Sequence, residues 1–335
     1  MTLAVSDALG QKPIENIIEN SIEQIQIEIR KILGDYKAID SLQDIIGDSL
    51  ISSGKMVRTR LLLAISLMGN TDISSDFISQ ASAVEITHLA SLIHDDIIDD
   101  SLLRRNHQSI QAKYGKDTAV FAGDFMIARV FSYLLEKNLS NEALLIANTI
   151  RDMCNGEVGQ NLSKYKIDVS EGEYFRNISG KTASFFKAVC YFGAKNSKFN
   201  QFDTNKIVRF GENLGLMFQI KDDLLDIFYS KKFTGKEEFK DVKEGVYTYP
   251  VIVSLKNKTY GRDIREILIQ NQEKGLDETS LEGLKILIGK TDARAISLNK
   301  IKELSRECRL IVTSLSKDDF LTYYLIKILE KVEKS

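Results

Sequence analysis

Residues 85–105 read EITHLASLIHDDIIDDSLLRR, and the fold follows from how four aspartates sit inside that apolar run. On a helix Asp95 and Asp99 lie one turn apart on one face, and Asp96 and Asp100 repeat the arrangement about 100° further round. Like charges at this spacing repel, so the helix gains nothing from them until a cation lies between. Hard carboxylate oxygens with no cysteine nearby suit Mg²⁺ or Mn²⁺. A lone DDxxD is more often a solvated acidic face, because short motifs recur by accident.

A second stretch changes that balance. Residues 215–228, GLMFQIKDDLLDIF, set Asp222, Asp223 and Asp226 in the same pattern within another apolar helix. A solvated face is not expected to be flanked this way twice. Two such helices opposed across a bundle would hold a small cluster of Mg²⁺ ions between them. Magnesium keeps waters and completes its shell with substrate phosphate oxygens, so a phosphorylated ligand is expected. Basic anchors are at hand in Arg104 and Arg105 and in Lys55 and Arg58, although a basic pair alone is commonly a surface feature.

The rest of the chain is written for helices. There are only 2 prolines, Pro13 and Pro250, and helix interiors exclude proline. Ile14, Ile17, Ile18, Ile22, Ile25, Ile29, Ile32 and Leu33 predict a helix closed at Gly34. Similar spacing predicts helices over 53–69, 74–103, 117–138, 140–163, 171–195, 201–229, 245–256 and 291–333, with no strand-like alternation. Short polar breaks, rather than a linker, predict one all-α domain over residues 1–335, with 1–12 a flexible N-terminal stretch. The charged stretch 230–248 is expected to act as a lid.

Composition narrows the classes. With 45 Lys plus Arg against 47 Asp plus Glu, no nucleic-acid partner is expected. Three scattered cysteines fit reduced thiols in a cytoplasmic protein. No leader-like start and no uncharged apolar run of about 18 residues predict a chain with no transmembrane segment.

Taken in order, GKMVR (54–58), EITHLASLIHDDIIDDSLLRR (85–105), AVFAGDFMIARVF (119–131), EVGQ (157–160), ISGKTASFF (178–186), GLMFQIKDDLLD (215–226) and GKEEFKDVKEGVYTYP (235–250) resemble the trans-isoprenyl diphosphate synthases. The resemblance implies an all-α isoprenoid synthase fold, a single large helical bundle with its active site in a central cavity. It also implies joining of isopentenyl diphosphate to an allylic diphosphate, usually by a homodimer, with a heteromer as the alternative. By resemblance Asp95, Asp99 and Asp222 are the principal Mg²⁺ ligands, supported by Asp96, Asp223 and Asp226. Lys55, Arg58, His88 and Arg105 match the isopentenyl diphosphate site, and Arg104, Lys181, Thr182, Gln219 and Lys236 match the allylic diphosphate site. His94 is read as structural.

That chemistry needs these residue types. Ionising an allylic C–O bond leaves new negative charge on diphosphate, which fixed cations stabilise most in the transition state. The oxygens of Thr182 and Gln219 would lie near the carbocation, and apolar walls would keep water from capturing it. No protein nucleophile is called for.

The chain departs from the family pattern at several places. Ser53, Met56 and Thr59 replace the second glycine, a basic residue and the proline of the GGKRxRP motif; Asn106 and Phe239 replace glycines; Lys221 and Tyr249 replace valine and leucine. Ala90 and Ser91, about 6–7.5 Å along the helix from Asp95, are small where a bulky aromatic gives short products in the family. They predict a long-chain product of about six to ten isoprene units, unless Phe125 or Phe131 closes the pocket. The competing readings are a short-chain farnesyl or geranylgeranyl synthase, a class I terpene cyclase and a non-catalytic or heteromeric subunit. A second aspartate motif together with Lys55 and Arg58 argues against the cyclase, and two intact motifs argue against a non-catalytic subunit.

Overall fold

A computed structural model of the chain describes residues 7–34, 40–51, 56–69, 72–229, 238–315 and 318–334. Its long elements are all helices. The only strands among the described residues are Leu103–Arg104 and His107–Gln108, paired antiparallel. The chain divides into two compact units. One comprises residues 1–148, 188–204 and 316–325, and the other 149–187, 205–315 and 326–335.

The first unit is built on the helix Ser75–Ile98. Ser74 caps its start, the hydroxyl oxygen accepting from the Phe77 N–H at 3.1 Å. The helix is apolar on nearly every side, as one with neighbours all round must be, and buries Ala81, Ala83, Val84, Ile86, Leu89 and Ala90. Val57–Leu67, Asp7–Gly34 and Lys116–Glu136 pack on it. Lys116–Glu136 contributes Ala119, Ala122, Met126, Val130 and Leu134. Fully burying an aliphatic side chain of Val, Leu or Met size stabilises by about 1.5–3 kcal/mol. The two helices meet at Gly123, where a Cβ would stand 2.3 Å from His94 Nε2, so any larger residue would displace the His94 ring, which sits 3.4 Å from the Val120 carbonyl. By length and composition Lys116–Glu136 is the one described helix that could cross a membrane; its apolar window is 44% buried in the fold.

The helix expected over 74–103 stops at Ile98. Asp100 turns left-handed at φ 49°, and a hairpin follows in which Arg105 (φ 50°) and Asn106 (φ 68°) form the two-residue turn. Positive φ at both turn residues matches the twist of the strands. Asn106 fits where the family has glycine because its short polar side chain tolerates that region. The first helix starts at Asp7, ahead of Pro13, and Asp40–Ile51 is a helix that the spacing does not signal.

In the second unit Glu171–Ile178 runs into a π-turn, Ser179–Ala183, which breaks the helix expected over 171–195. The turn presses on Ser140–Leu162 at Gly156, where a Cβ would lie 2.1 Å from the Lys181 nitrogen. Tyr249–Leu255 carries Pro250 in its first turn, where the missing N–H has no helical partner to lose. Ile227, Phe239, Val242, Tyr247, Val251, Ile264, Leu268, Leu284 and Ile288 form a core that takes in Gly261–Lys274 and Glu278–Gly289, two helices that the spacing does not reveal. The segment expected as one helix over 291–333 is two, Ala293–Leu315 and Asp319–Lys334.

Candidate active site

In the first unit the aspartates take different roles according to the side of the helix they face. Asp95 is half-buried and Asp99 exposed at the helix end. Asp96 is buried, and its carboxylate accepts three hydrogen bonds of 2.7–2.9 Å from Arg104 Nε and Nη2. Its backbone carbonyl accepts from Gln111 Nε2 at 2.8 Å, which ties the short helix Ile110–Tyr114 to the helix end. Asp96, expected to support the Mg²⁺ ligands, is here engaged by Arg104.

Arg58, from the first turn of Val57–Leu67, reaches His88 with Nη1 3.0 Å from Nε2. Burial, then the charges of Arg58, Arg105 and Arg104, holds the His88 imidazole well below its usual range, so the ring is neutral and accepts from Arg58. Burial also lowers Arg58, to about 10, against Glu85, which favours its charge; Arg105 and Asp95 act on it in opposite senses. Glu85 is a buried carboxylate that sequence reasoning missed. Thr59, in place of the family's proline, donates to it at 2.5 Å. Burial raises Glu85, opposed by that bond and by Arg58 and Arg105. Lys55 lies outside the described residues.

In the second unit Asp222, Asp223 and Asp226 occupy the last two turns of Gln201–Phe228. Asp223 accepts from Tyr174 Oη at 2.5 Å and from Gln219 Nε2 at 3.0 Å. Asp226 Oδ1 accepts the Lys240 N–H at 2.9 Å, while Oδ2 is buried with no hydrogen-bond partner. Burial, then the negative charge of Asp241, pushes Asp223 and Asp226 up to about 7, and Asp222 adds to both. Asp241 is a fourth carboxylate that the sequence reading passed over. The set is crowded, oxygen-only and carries an unpartnered buried oxygen, which fits a hard divalent cation. Among the described residues no three His, Cys, Asp or Glu side chains stand so as to hold a metal ion by themselves; Mg²⁺ commonly completes its shell with water and substrate phosphate.

Lys181 sits in the π-turn with Nζ 3.1 Å from Glu157 Oε1 and 3.0 Å from Gln160 Oε1. Thr182 Oγ1 donates to Gln219 Oε1 at 2.8 Å. Lys221 turns away from the aspartates and donates to the Glu333 carbonyl at 3.0 Å. Phe239 takes a left-handed conformation (φ 56°) that glycine adopts without strain. It is held there by burial in the core and by its N–H donating to the Asp226 carbonyl at 3.0 Å. Lys236 and residues 230–237 of the expected lid lie outside the described residues.

The helical architecture and the two aspartate motifs define the prenyltransferase class of all-α proteins. The sequence pattern of polyprenyl synthetases matches residues 40–281, and the chain belongs to that family. It is 38% identical over 208 residues to a prenyl transferase of Cyanidium caldarium, covering 62% of this chain and 64% of that protein. It is 34% identical over 245 residues to one of Cyanophora paradoxa, covering 72% and 75%. Other relatives are named solanesyl diphosphate synthase 2 (Arabidopsis thaliana), heptaprenyl diphosphate synthase component 2 (Geobacillus stearothermophilus) and geranylgeranyl diphosphate synthase (Saccharolobus solfataricus). Among solved structures, heptaprenyl diphosphate synthase of Staphylococcus aureus aligns with a TM-score of 0.85 at 25% identity over 95% of this chain and 98% of that one. Geranylgeranyl pyrophosphate synthase of Corynebacterium glutamicum, complexed with calcium and isoprenyl diphosphate, aligns at 0.81 and 25% over 97% and 98%.

Proposed function

We propose that this chain is a Mg²⁺-dependent synthase that condenses isopentenyl diphosphate with an allylic diphosphate into an all-trans polyprenyl diphosphate of about six to ten isoprene units. The observation that carries this reading is the second aspartate motif, where Asp226 Oδ2 is buried without a hydrogen-bond partner and Asp241 and Asp222 add negative charge beside the buried Asp223 and Asp226. The calcium and isoprenyl diphosphate of the Corynebacterium structure support a divalent ion beside a diphosphate. Asp95, Asp99 and Asp222 would be ligands, with Asp226 and Asp241 adjoining. When bound, Mg²⁺ would offset charge on the departing diphosphate.

The chain's own groups do the rest. Lys181 and Arg104 bring positive charge to the allylic diphosphate, each held in place by carboxylates: Lys181 by Glu157, and Arg104 by Asp96. Neutral His88 and Arg58 supply the isopentenyl diphosphate site together with Lys55 and Arg105, and Lys236 joins the allylic site. Thr182 and Gln219 turn oxygen dipoles toward developing positive charge. Ala90 and Ser91, small where the family's short-chain members carry a bulky aromatic, would leave room for a long chain; Ala90 is fully buried and Ser91 half-buried. The whole chain would act as one synthase domain, as a homodimer in the cytoplasm.

Relatives named component 2 favour a second reading, the catalytic chain of a two-chain enzyme. Radiolabelled isopentenyl diphosphate and farnesyl diphosphate, with and without Mg²⁺, decide between them. Label entering an extractable lipid only with Mg²⁺ supports the first reading. No incorporation by the chain alone overturns it, and recovery on adding a cell extract establishes the second.

A further inference from the structure

Asp223 is buried, and both of its carboxylate oxygens are occupied. Tyr174 Oη donates to Oδ2 at 2.5 Å, and Gln219 Nε2 donates to Oδ1 at 3.0 Å. The other end of the Gln219 amide, Oε1, accepts from Thr182 Oγ1 at 2.8 Å. The direction of this chain follows from chemistry. A carboxylate accepts, so Gln219 must turn its NH₂ to Asp223 and its carbonyl oxygen to Thr182. The Thr182 proton is then committed to Gln219, and the lone pairs of the Thr182 hydroxyl are left for another neighbour.

Tyr174 ends the chain and is held on its own account. Its ring stacks on Tyr249 with centroids 5.5 Å apart at 22° and meets Phe175 edge-on at 5.2 Å and 77°. Phe175 and Tyr249 close the trio at 5.2 Å. Ser170 fixes the helix that carries Tyr174 and Phe175, its hydroxyl oxygen accepting from the Glu173 N–H at 3.1 Å. The hydroxyl of a ring so confined has one carboxylate to serve.

We infer that Tyr174 is a positioning residue that acts through Asp223 to orient Gln219 and Thr182 toward the reacting carbon. The inference rests on the prenyl-transfer reading of this site. Without the hydroxyl, Asp223 keeps one donor in a buried setting and the Gln219 amide is no longer held to one orientation. In the proposed reaction the Thr182 and Gln219 oxygens act on charge that develops during ionisation. Their misorientation therefore lowers kcat and leaves ground-state binding nearly unchanged.

The test uses the full chain with Mg²⁺, isopentenyl diphosphate and farnesyl diphosphate. Tyr174→Phe is expected to lower kcat by about tenfold or more, the size of a hydrogen bond to a charged group, with both KM values within about twofold of wild type. Tyr249→Phe, which keeps the ring stack, is expected to stay within about twofold of wild type. Tyr174→Phe/Thr182→Val should be no slower than the slower single variant, as expected of residues acting as a unit. A raised KM with unchanged kcat, or multiplicative losses in the double variant, overturns the inference. Asp223→Asn covers a Tyr174→Phe protein that fails to fold; it should show the same kcat-selective loss, and wild-type kcat there overturns the inference as well.

A second readout needs no turnover. In metal-free protein the thermal midpoint losses of Tyr174→Phe and Gln219→Leu should be less than additive when combined, and additive losses overturn the inference. If wild type itself incorporates no label, the prenyl-transfer reading fails and the thermal cycle alone decides whether Tyr174 positions Gln219.

Discussion

Arg104 is clamped on Asp96 by three hydrogen bonds of 2.7–2.9 Å, and Asp96 is the buried member of the first aspartate motif. Three residues of one motif therefore separate by role. Asp96→Ala strips a buried partner from Arg104 and is expected to cost about 3 kcal/mol of stability. Asp99→Ala, at an exposed position, should change stability by less than about 0.5 kcal/mol while abolishing turnover. Urea unfolding and the labelled assay check both; equal stability losses would contradict the division.

The neutral His88 gives stability a pH signature. Its folded value lies well below its usual range, so below about pH 6.5 the unfolded chain binds a proton that the folded one does not. Stability contributed by this group is present above that pH and is lost as pH falls below it. Asp223 and Asp226, pushed up to about 7, act in the opposite sense, their contribution fading as pH rises to that value. Comparing wild type with His88→Gln isolates the histidine. The urea midpoint of the variant should fall less between pH 6.5 and 5, and parallel curves would refute the assignment.

Crowding at the second motif predicts an exchange of stability between metal-free and metal-loaded protein. Asp226→Asn removes one of the repelling charges and retains an oxygen for the Lys240 N–H. The metal-free variant should be more stable by on the order of 1 kcal/mol. Its thermal midpoint should rise less than that of wild type when Mg²⁺ is added. A variant that is less stable without metal, or gains as much from Mg²⁺, would contradict the fit.

Phe239 sits left-handed at φ 56° with its ring in the core. Phe239→Ala loses the packing and keeps the backbone strain, for a cost of about 3–5 kcal/mol. Phe239→Gly loses the same packing and sheds the strain, so it should be the more stable of the two by about 1 kcal/mol. Glycine is otherwise the worse residue in a folded element, and an alanine variant that outlasts the glycine variant in urea would show that Phe239 is not strained.

Much of this was legible where chemistry is local. The aspartate motifs are written in consecutive residues, and isoleucine spacing marks the first helix from Ile14 onward. Arg105-Asn106 was the available sign of a hairpin, but the apolar run before it carried the helix expectation to residue 103. Glu85, Tyr174 and Asp241 were not legible as site residues, because their roles come from partners distant in sequence: Arg58 for Glu85, Asp223 for Tyr174 and Asp226 for Asp241. Lys221 illustrates the converse. It adjoins Asp222 in sequence, yet its position round the helix directs it to Glu333.

The proposed chain length rests on Ala90, fully buried within the first unit. Ala90→Phe places an aromatic ring about 7.5 Å along the helix from Asp95 and should shorten the product; an unchanged product distribution would remove Ala90 from the tail's path.

The most direct measurement is the chain length of the lipid released when the purified chain is supplied with labelled isopentenyl diphosphate, farnesyl diphosphate and Mg²⁺. The account predicts products of about six to ten isoprene units, formed only with the divalent cation. Products that stop at four units, a single addition to the farnesyl primer, would contradict the open tail path, and a lack of any labelled product would contradict a synthase that acts as this chain alone.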